Sequence, residues 1–454
     1  MKKLLTVLLA LLMVLTLAGC GAKQEETAAP TEGGKVTVNV MSFTDEVPGM
    51  VDKFMAAHPE YADKFEINTT IVATTDGLYQ PALDEALAAG NVDIYAAEAA
   101  FVLKYAQGDA AQFAASYEEL GIDVAGATKK AEIAPYTIDI GTRPADGKLV
   151  ALGYQSTGGA FIYRRSIAKD VWGSDDPATV AEKIGAGSGN WDAFFKAAEE
   201  LKAKGYGIIS GDGDMWHAVE NSSSTGWIVD NKLTISPERD AFLDLSKKLK
   251  DNGYHHDTQD WTDAWYADMK ADGTILGFYG PAWLINYTIG AQNEKGAENS
   301  SYGDWGVCAP NVGFFWGGTW VLAGKGCVGT EKQEFVKEFI EWVTLDDDEE
   351  SLQYKWANGT LNGEGGTKDS VASGTVMAKS NGEMEFCGGQ NAFEAFVPAN
   401  TYANGKCLTQ YDETINSAWR DAVRQYTGGT ATRDEAIKNF KDAVVGLNLG
   451  ITVE

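Results

Sequence analysis

The segment Gly277-Phe278-Tyr279-Gly280-Pro281-Ala282-Trp283-Leu284-Ile285-Asn286-Tyr287 brings an apolar run, a turn and an aromatic side chain together in one short stretch. The residues from Thr274 to Tyr279 predict a short buried strand, and Gly280-Pro281 forces the chain to turn after it. Trp283 then lies in the first turn of a predicted helix. An indole just past a strand end suits stacking on a ligand, whereas a lone tryptophan is more often a core residue. Both interpretations of Trp283 stay open at this point.

Length and composition limit the classes of protein that this chain can belong to. At 454 residues it is long enough for two or three domains with substantial cores. Its formal net charge of −28 argues against nucleic acid or an anionic membrane surface as an electrostatic partner. The 13 Trp, 18 Tyr and 18 Phe residues suit apolar cores and also the walls of a cleft that stacks on sugars.

Residues 1–19 are predicted to be a signal peptide. Lys2-Lys3 form a positive region, and Leu4 to Leu17 form an apolar run too short to span a bilayer comfortably. The following Leu17-Ala18-Gly19-Cys20 resembles the lipobox of bacterial lipoproteins, which implies cleavage before Cys20 and lipid attachment to its sulfur. An ordinary secretory signal with an incidental cysteine is the alternative.

Residues 20–35 lack apolar periodicity and are predicted to be a flexible tether. With a lipid on Cys20, the protein would be held at the extracellular face of the cell membrane.

Four further cysteines, Cys308, Cys327, Cys387 and Cys407, leave their redox state open. Outside the cytoplasm they could form two disulfides, and proximity in the sequence favours Cys308–Cys327 and Cys387–Cys407. They could equally stay buried thiols. No C-x-x-C spacing occurs, so a zinc site is a weak alternative, and we expect no bound metal or cofactor.

Strands and helices alternate in the first part of the chain. Strands are predicted at Val36 to Met41, Ile67 to Ala73 and Val92 to Tyr95, with helices from Pro48 to Ala57 and from Tyr79 to Ala89 between them. This order predicts an α/β lobe whose ligand-binding loops follow the carboxyl ends of the strands.

Several pieces of the chain, in this order and at these distances, resemble the extracellular solute-binding proteins of ATP-driven sugar importers, the group that includes maltose-binding protein. The resemblance covers essentially all of residues 36–454. The pieces are the lipobox, Val92-Asp93-Ile94-Tyr95, Lys148-Leu149-Val150-Ala151 leading to Phe161-Ile162-Tyr163-Arg164, Trp191 with Gly205-Tyr206-Gly207, Gly280-Pro281-Ala282-Trp283, Gly306-Val307-Cys308-Ala309-Pro310 before Gly317-Gly318, and Gly388-Gly389-Gln390-Asn391 with Tyr411-Asp412. The pair Arg164-Arg165 departs from the Asn-Lys that relatives often carry there.

The resemblance implies a periplasmic-binding-protein-like α/β fold of type II, with two lobes, a hinge and a ligand cleft between the lobes. We expect lobe 1 to contain residues 36–154 and 312–347, and lobe 2 to contain residues 155–311 and 348–454. The crossings would lie near Tyr154–Ser156, Pro310–Asn311 and Leu345–Asp348. The lobes would close on a sugar by hinge motion and deliver it to the permease subunits of an ABC transporter. The protein would act as a monomer without a cofactor.

A site for sugars pairs stacked aromatic rings with carboxylates and amides that bind hydroxyl groups. Trp283 matches the cleft aromatic of the family, and the resemblance therefore favours a ligand contact for it. The candidate ligand-binding residues are Trp283, Trp316, Glu98, Asp45, Thr44, Glu46, Tyr154, Gln155, Asp212 and Trp216. Competing interpretations are a solvated loop for Thr44 to Glu46 and hinge packing for Tyr154 and Gln155.

The loop Gly211-Asp212-Gly213-Asp214-Met215-Trp216 offers two carboxylates and an indole. It could also hold calcium, but it lacks the further spaced oxygen ligands of an EF-hand loop. His217 and the pair His255-His256 lack partners at ligand spacing, and we expect them at the surface.

Two other functional classes remain as alternatives. A secreted glycosidase would need two carboxylates across a cleft, and acidic residues are too common here to exclude such a pair. No G-x-S-x-G elbow or phosphate-binding loop occurs, and the resemblance is to binding proteins rather than enzymes. A receptor for peptides or chelated metal is the second alternative, and the scarcity of histidine, with 4 residues, argues against it.

Replacing Trp283 by alanine should weaken sugar binding at least tenfold, about 1.4 kcal/mol, without unfolding the protein. Titration calorimetry of the variant checks this, and affinity close to that of the wild type would contradict a stacking role for this indole.

Overall fold

A computed structural model describes residues 34–74, 77–363 and 365–454. The predicted signal peptide, Cys20 and most of the tether lie outside the described residues. The strands are β1 (Val36–Ser42), β2 (Phe65–Ile71), β3 (Ile94–Glu98), β4 (Thr142–Arg143), β5 (Lys148–Leu149), β6 (Ala151–Gly153), β7 (Ala160–Arg164), β8 (Ile228–Val229), β9 (Lys232–Leu233), β10 (Gly277–Gly280), β11 (Trp305–Cys308), β12 (Thr319–Ala323), β13 (Glu383–Met384) and β14 (Gln390–Asn391).

The helices follow the same chain order. They are α1 (Glu46–Ala57), α2 (Tyr79–Ala88), α3 (Val102–Ala106), α4 (Tyr117–Leu120), α5 (Val124–Ala131), α6 (Pro135–Gly141), α7 (Arg165–Trp172), α8 (Pro177–Ile184), α9 (Asp192–Lys202), α10 (Asp212–Glu220), α11 (Pro237–Asn252), α12 (Asp263–Ala267), α13 (Gly290–Gln292), α14 (Gln333–Thr344), α15 (Leu352–Ala357), α16 (Gly374–Lys379), α17 (Phe393–Ala399), α18 (Asp412–Thr427) and α19 (Arg433–Gly446). None of the described helices is long and apolar enough to cross a membrane.

The larger sheet has the strand order β2-β1-β3-β12-β6. Strand β1 is parallel to both β2 and β3, as the alternation of strands and helices predicts. Strand β12 comes from much later in the chain and is antiparallel to both of its neighbours, β3 and β6. The third strand continues to Glu98, so this residue ends the strand instead of lying in the loop that we predicted after Tyr95.

The smaller sheet has the order β10-β7-β11, and both strand pairs are antiparallel. The chain passes from the larger sheet to the smaller between β6 and β7 and returns between β11 and β12. The polar link from Tyr154 to Gly159 therefore joins the two sheets.

Helix α14 shows how the apolar pattern generates the packing. Phe335 and Phe339 lie on one face of this helix and are fully buried. The ring of Phe54 on α1 lies 5.4 Å from the ring of Phe335 and 5.7 Å from that of Phe339, in edge-to-face geometry. These contacts hold two distant helices against the larger sheet.

The segment from Gly277 to Tyr287 begins with β10. A helical stretch with a π-helical part, Leu284–Ile289, follows this strand. A side chain on Gly280 would place its Cβ 2.3 Å from Leu284 Cδ2, so the close approach of strand and helix requires glycine. Trp283 stands at the start of the π-helical part, as the Gly-Pro turn predicts. Such π-helical turns are rare and occur frequently at functional sites.

Neither disulfide favoured by sequence proximity is present, because Cys308, Cys327, Cys387 and Cys407 are all free. Cys308 ends β11 in the smaller sheet, whereas Cys327 follows β12 of the larger sheet. Burial raises the pKa of the Cys308, Cys327 and Cys387 thiols, which keeps them protonated and unreactive.

Replacing the buried Phe440 of α19 by alanine should lower the free energy of unfolding by about 3–5 kcal/mol. Its ring lies 4.9 Å from that of Trp419 and 5.3 Å from that of Trp227, so its removal leaves a cavity among large rings. Val445→Ala on the same helix, at a side chain that is 58% exposed, should change stability by less than about 0.5 kcal/mol. Urea unfolding measures both, and equal effects would contradict this description of the core.

Candidate ligand-binding site

A cleft of about 870 Å³ lies between elements of the larger sheet and helices packed on the smaller sheet. The larger-sheet side contributes the ends of β3 and α2 and the loop before β12. The other side contributes α10, the loop before α12 and the start of α18. Among the residues that line it are Phe43, Tyr79, Glu98, Phe101, Trp216, His217, Glu220, Asp260, Trp261, Phe315, Trp316, Asp412, Glu413, Asn416, Arg420 and Arg424.

The register of β12 places the central wall of the cleft. Thr319 pairs with Glu98, so the residues just before β12 lie beside the carboxyl end of β3. Gly317 and Gly318 have φ values of +67° and +110°, which suit glycine, and the Gly318 carbonyl accepts a hydrogen bond from the backbone of β3's following residue, Ala99, at 3.0 Å. This tight turn presents the Trp316 side chain to the cleft.

Three indoles form one cluster at the cleft wall. The ring of Trp283 lies 4.7 Å from that of Trp316, and its Nε1 donates a hydrogen bond of 3.1 Å to the Trp316 carbonyl. Trp261 lies parallel to Trp283 with ring centroids 6.2 Å apart and an interplanar angle of 10°. Trp261 is 53% exposed, and its φ of +66° is unusual for a bulky residue. A strained backbone thus holds an exposed indole at the cleft, a feature that is often functional.

His217 extends this cluster and corrects our expectation that it lies at the surface. Its ring stacks on Trp316 with centroids 3.5 Å apart, and the residue is only 8% exposed. Its Nε2 lies 3.2 Å from Asp260 Oδ2. His217 Nδ1 and Asp260 Oδ1 are buried and have no hydrogen-bond partner among the described residues, although both residues line the cleft. His255 is also buried rather than exposed.

Four carboxyl groups that line the cleft have raised pKa values, and burial is the main cause for each. The pKa of Glu98 rises to about 7, although the backbone N–H of Ala100 hydrogen-bonds its carboxylate at 2.7 Å. The pKa of Glu220 rises to about 8 and that of Asp412 to about 6, and that of Glu413 is raised as well. The charge of Glu413 also contributes to the shifts of the other three.

The two lining arginines already have carboxylate partners. Arg420 Nη2 lies 2.6 Å from Asp212 Oδ1, and Arg424 pairs with Asp421 on the same helix. Asp212, a candidate from the sequence, thus does not line the cleft but holds Arg420, which does. Burial alone would raise the pKa of Asp212, but the guanidinium and the hydroxyl of Ser246 lower it.

Apart from Asp212, the nine other candidate residues fall into three groups. Glu98, Trp216 and Trp316 line the cleft directly, whereas Trp283 is not part of this lining but hydrogen-bonds the Trp316 carbonyl. Thr44 and Asp45 are exposed, and neither lines the described cleft, whereas their neighbour Phe43 does.

The third group is a buried polar cluster outside the cleft lining. The hydroxyl of Tyr154 donates to Glu46, and Gln155 Nε2 donates to Asp369 Oδ2 at 3.2 Å. Tyr154 is fully buried and stacks on Trp356, so hinge packing, the competing interpretation, describes its present contacts. Burial raises the pKa of both Glu46 and Asp369.

Sequence reasoning missed Trp261, His217, Glu220 and Glu413 as site residues. They reach the cleft through tertiary packing of α10, the 260–261 loop and α18, which local patterns do not reveal. One signal was present, because Glu413 follows directly after the Tyr411-Asp412 pair that carried part of the resemblance.

The raised pKa values predict how stability varies with pH. Glu220 binds a proton more tightly when folded, so its contribution opposes folding increasingly as the pH rises from about 4.5 to about 8. Glu220→Gln should therefore raise the melting temperature more at pH 8 than at pH 5. Glu182→Gln, at an exposed residue of α8, should leave the pH profile unchanged. Thermal unfolding of each variant between pH 5 and pH 8 measures these effects. If the melting temperatures of the wild type and Glu220→Gln change in parallel with pH, the raised pKa of Glu220 is contradicted.

Comparisons with known proteins come from both sequence and structure. Residues 49–385 match the model of a family described as bacterial extracellular solute-binding protein. A search of curated proteins found no match. Among solved structures, an extracellular solute-binding protein of family 1 superposes with a TM-score of 0.67 at 18% identity, over 91% of this chain and 100% of that chain.

Two further structures were solved with their ligands. The galacto-N-biose-/lacto-N-biose I-binding protein of an ABC transporter from Bifidobacterium longum, in complex with lacto-N-biose, has a TM-score of 0.64 at 16% identity, over 93% of this chain and 100% of that one. An ABC substrate-binding protein from Listeria monocytogenes, in complex with cycloalternan, has a TM-score of 0.62 at 16% identity, over 92% and 100%.

At these identities the structural matches show the fold, which is the α/β, two-lobe fold of periplasmic-binding-protein-like proteins, as the sequence predicted. The family model matches well over half of the chain. The chain therefore belongs to the family of bacterial extracellular solute-binding proteins, and it is a solute-binding protein.

Proposed function

We propose that this protein is a membrane-anchored extracytoplasmic receptor that binds an oligosaccharide between its two lobes and delivers it to an ABC permease. The observation that carries the proposal is the cleft itself, which combines exposed indole surface with many hydrogen-bonding groups. Its volume of about 870 Å³ is in the upper range of small-molecule sites, which leaves room for more than one sugar ring.

The chemistry of the cleft walls fits the two kinds of surface on a sugar. The weakly apolar C–H face of a ring can lie on Trp261 or Trp316. Hydroxyl groups can donate to Asp260 and accept from Arg420, because both side chains line the cleft. Each keeps one buried atom, Asp260 Oδ1 and Arg420 Nη1, without a hydrogen-bond partner among the described residues. The structural relatives whose ligands are named, lacto-N-biose and cycloalternan, agree with this assignment.

The proposed lobes keep the bounds inferred from the sequence, with lobe 1 containing 36–154 and 312–347. The passages of the chain between β6 and β7 and between β11 and β12 support the first two proposed crossings. Glu98 on one side of the cleft and Glu413 on the other would approach or separate as the lobes move.

Anchoring through lipidated Cys20 and transfer of solute to a permease complete the proposal. Both rest on the lipobox resemblance and on the family, whose members are extracellular binding proteins. We propose that the protein binds its solute without turnover and acts as a monomer.

The first experiment measures tryptophan fluorescence and thermal shift of the mature chain lacking Cys20 against a panel of mono- and oligosaccharides. Saturable binding of one sugar class, with the sugar recovered unchanged by chromatography, supports the receptor. New reducing ends would identify a glycosidase, and an absence of binding across the panel would contradict a sugar receptor.

Trp261→Ala should weaken binding of the sugar identified by this panel at least tenfold, about 1.4 kcal/mol, because it removes the most exposed indole face of the cleft. Its melting temperature should change little, since about half of the side chain is already in water. Trp172→Ala, at the end of α7 and away from the cleft lining, is the matched control and should bind normally. Equal sugar affinity of Trp261→Ala and Trp172→Ala would rule out Trp261 as a stacking surface for the sugar.

A further inference from the structure

The charges that face the cleft are unbalanced. Five carboxyl groups line it, those of Glu98, Glu220, Asp260, Asp412 and Glu413. Because the side chains come from β3, α10, the loop before α12 and α18, the excess is a property of the assembled cleft and not of one acidic segment.

The cations at the cleft do not offset this excess. Arg420 pairs with Asp212 and Arg424 with Asp421, and neither of these aspartates lines the cleft. His217 lies beside Asp260 and leaves its Nδ1 buried without a partner among the described residues. Ionised carboxylates without a counter-ion in a partly desolvated cleft are costly, so these groups bind protons more tightly. A bound cation would favour their ionised form and gain energy from it.

Glu98 and Glu413 are the two carboxylates best placed for such a ligand. Glu98 ends β3 directly opposite Thr319, next to the turn that presents Trp316. Glu413 lies in the first turn of α18 and makes no hydrogen bond or ion pair with the described residues. Its side chain is exposed to solvent, although the walls of the cleft partly desolvate its carboxylate and raise its pKa. Glu98 and Glu413 line the same cleft, and the charge of Glu413 adds to the effect of burial on the pKa of Glu98.

We propose, resting on the sugar-receptor function above, that the solute is a sugar carrying a protonated amino group. The ammonium would lie between the Glu98 and Glu413 carboxylates while its ring stacks on Trp316 and Trp261. An ammonium has three donors and no acceptor, which matches carboxylates better than the mixed donors and acceptors of hydroxyl groups. The faces of the neighbouring indoles attract cations as well.

His217 gives an independent indication of a polar ligand at the same place. Its ring stacks on one face of Trp316, and both residues line the cleft. Its unpartnered Nδ1 and the free Oδ1 of Asp260 are buried, so a ring hydroxyl would bind them once these side chains move on ligand entry. The ligand predicted from these groups is therefore a hydroxylated ring with one positive charge, rather than a simple inorganic cation.

Sugars that differ at the amino group test the proposal. We would compare β-1,4-linked glucosamine oligomers with N-acetylglucosamine oligomers and glucose oligomers of the same length and linkage, and the monosaccharides glucosamine, galactosamine, glucose and galactose. Calorimetry at about pH 7 leaves a large fraction of both the amino groups and Glu98, whose pKa is about 7, in the charged form, and a bound ammonium lowers the pKa of Glu98 further. At least one amino sugar should bind at least tenfold more tightly than its neutral counterpart, and added salt should reduce this preference.

Variants test which carboxylate binds the amino group of the sugar. Glu413→Gln should lower the affinity for the amino sugar at least tenfold, and by a larger factor than it lowers the affinity for a neutral sugar. Because Glu413 is exposed, the variant should fold normally, and circular dichroism checks this. Glu182→Gln, an exposed substitution of the same kind on α8, should have no effect on either ligand.

The other possible results each contradict part of the proposal. If a neutral sugar binds as tightly as its amino counterpart, or if Glu413→Gln weakens both equally, the charge recognition is wrong while the sugar receptor stands. If no sugar of either kind binds, the receptor for sugars and the charge recognition both fail.

Discussion

The antiparallel insertion of β12 into the larger sheet is the constraint on which the site depends. This strand comes from a part of the chain that has already passed through the smaller sheet, and it pairs with β3 on one side and β6 on the other. Its register sets Thr319 opposite Glu98, and the two glycines before it turn Trp316 towards the cleft. A shift of one residue in this register would turn the strand's side chains to the opposite face, so the core and the cleft are fixed by the same pairing.

The polar groups of the cleft are held in place by partners outside it. Asp212 holds Arg420, Asn416 donates to Glu220, and the hydroxyl and backbone N–H of Thr409 hydrogen-bond Asp412. Supporting contacts of this kind orient a binding group before the ligand arrives and reduce the entropy lost on binding. They also engage both lining arginines, Arg420 and Arg424, so that the five lining carboxyl groups face the cleft without a free arginine.

Much of the fold could be predicted from the sequence, because strand and helix patterns are local. The alternation from Val36 to Tyr95 and the turn at Gly280-Pro281 were both confirmed. The end of β3 was predicted too early, since Ala96 and Ala97 carry no strong strand signal, yet pairing with β12 extends the strand to Glu98. At Ala96 and Ala97, pairing with a neighbouring strand outweighs the low intrinsic strand propensity of alanine.

The site could be predicted only in part. Glu98, Trp216 and Trp316 were found from their positions after strands and beside glycines, and each lines the cleft. Trp261 and Glu413 were not, because nothing in their neighbours indicates that distant loops and helices converge there. Asp212 shows the opposite case, in which a carboxylate in a promising loop is paired with Arg420 on a helix 208 positions later.

A crystal structure of the protein with its tightest-binding sugar would show whether the indole cluster is the binding surface. We expect density for the sugar in the cleft, with a ring face against Trp316 or Trp261 and a polar group within hydrogen-bonding distance of Glu98. Density for the sugar elsewhere, such as the separate cavity beside Trp191 and Tyr402, with the indole cluster unoccupied, would contradict it.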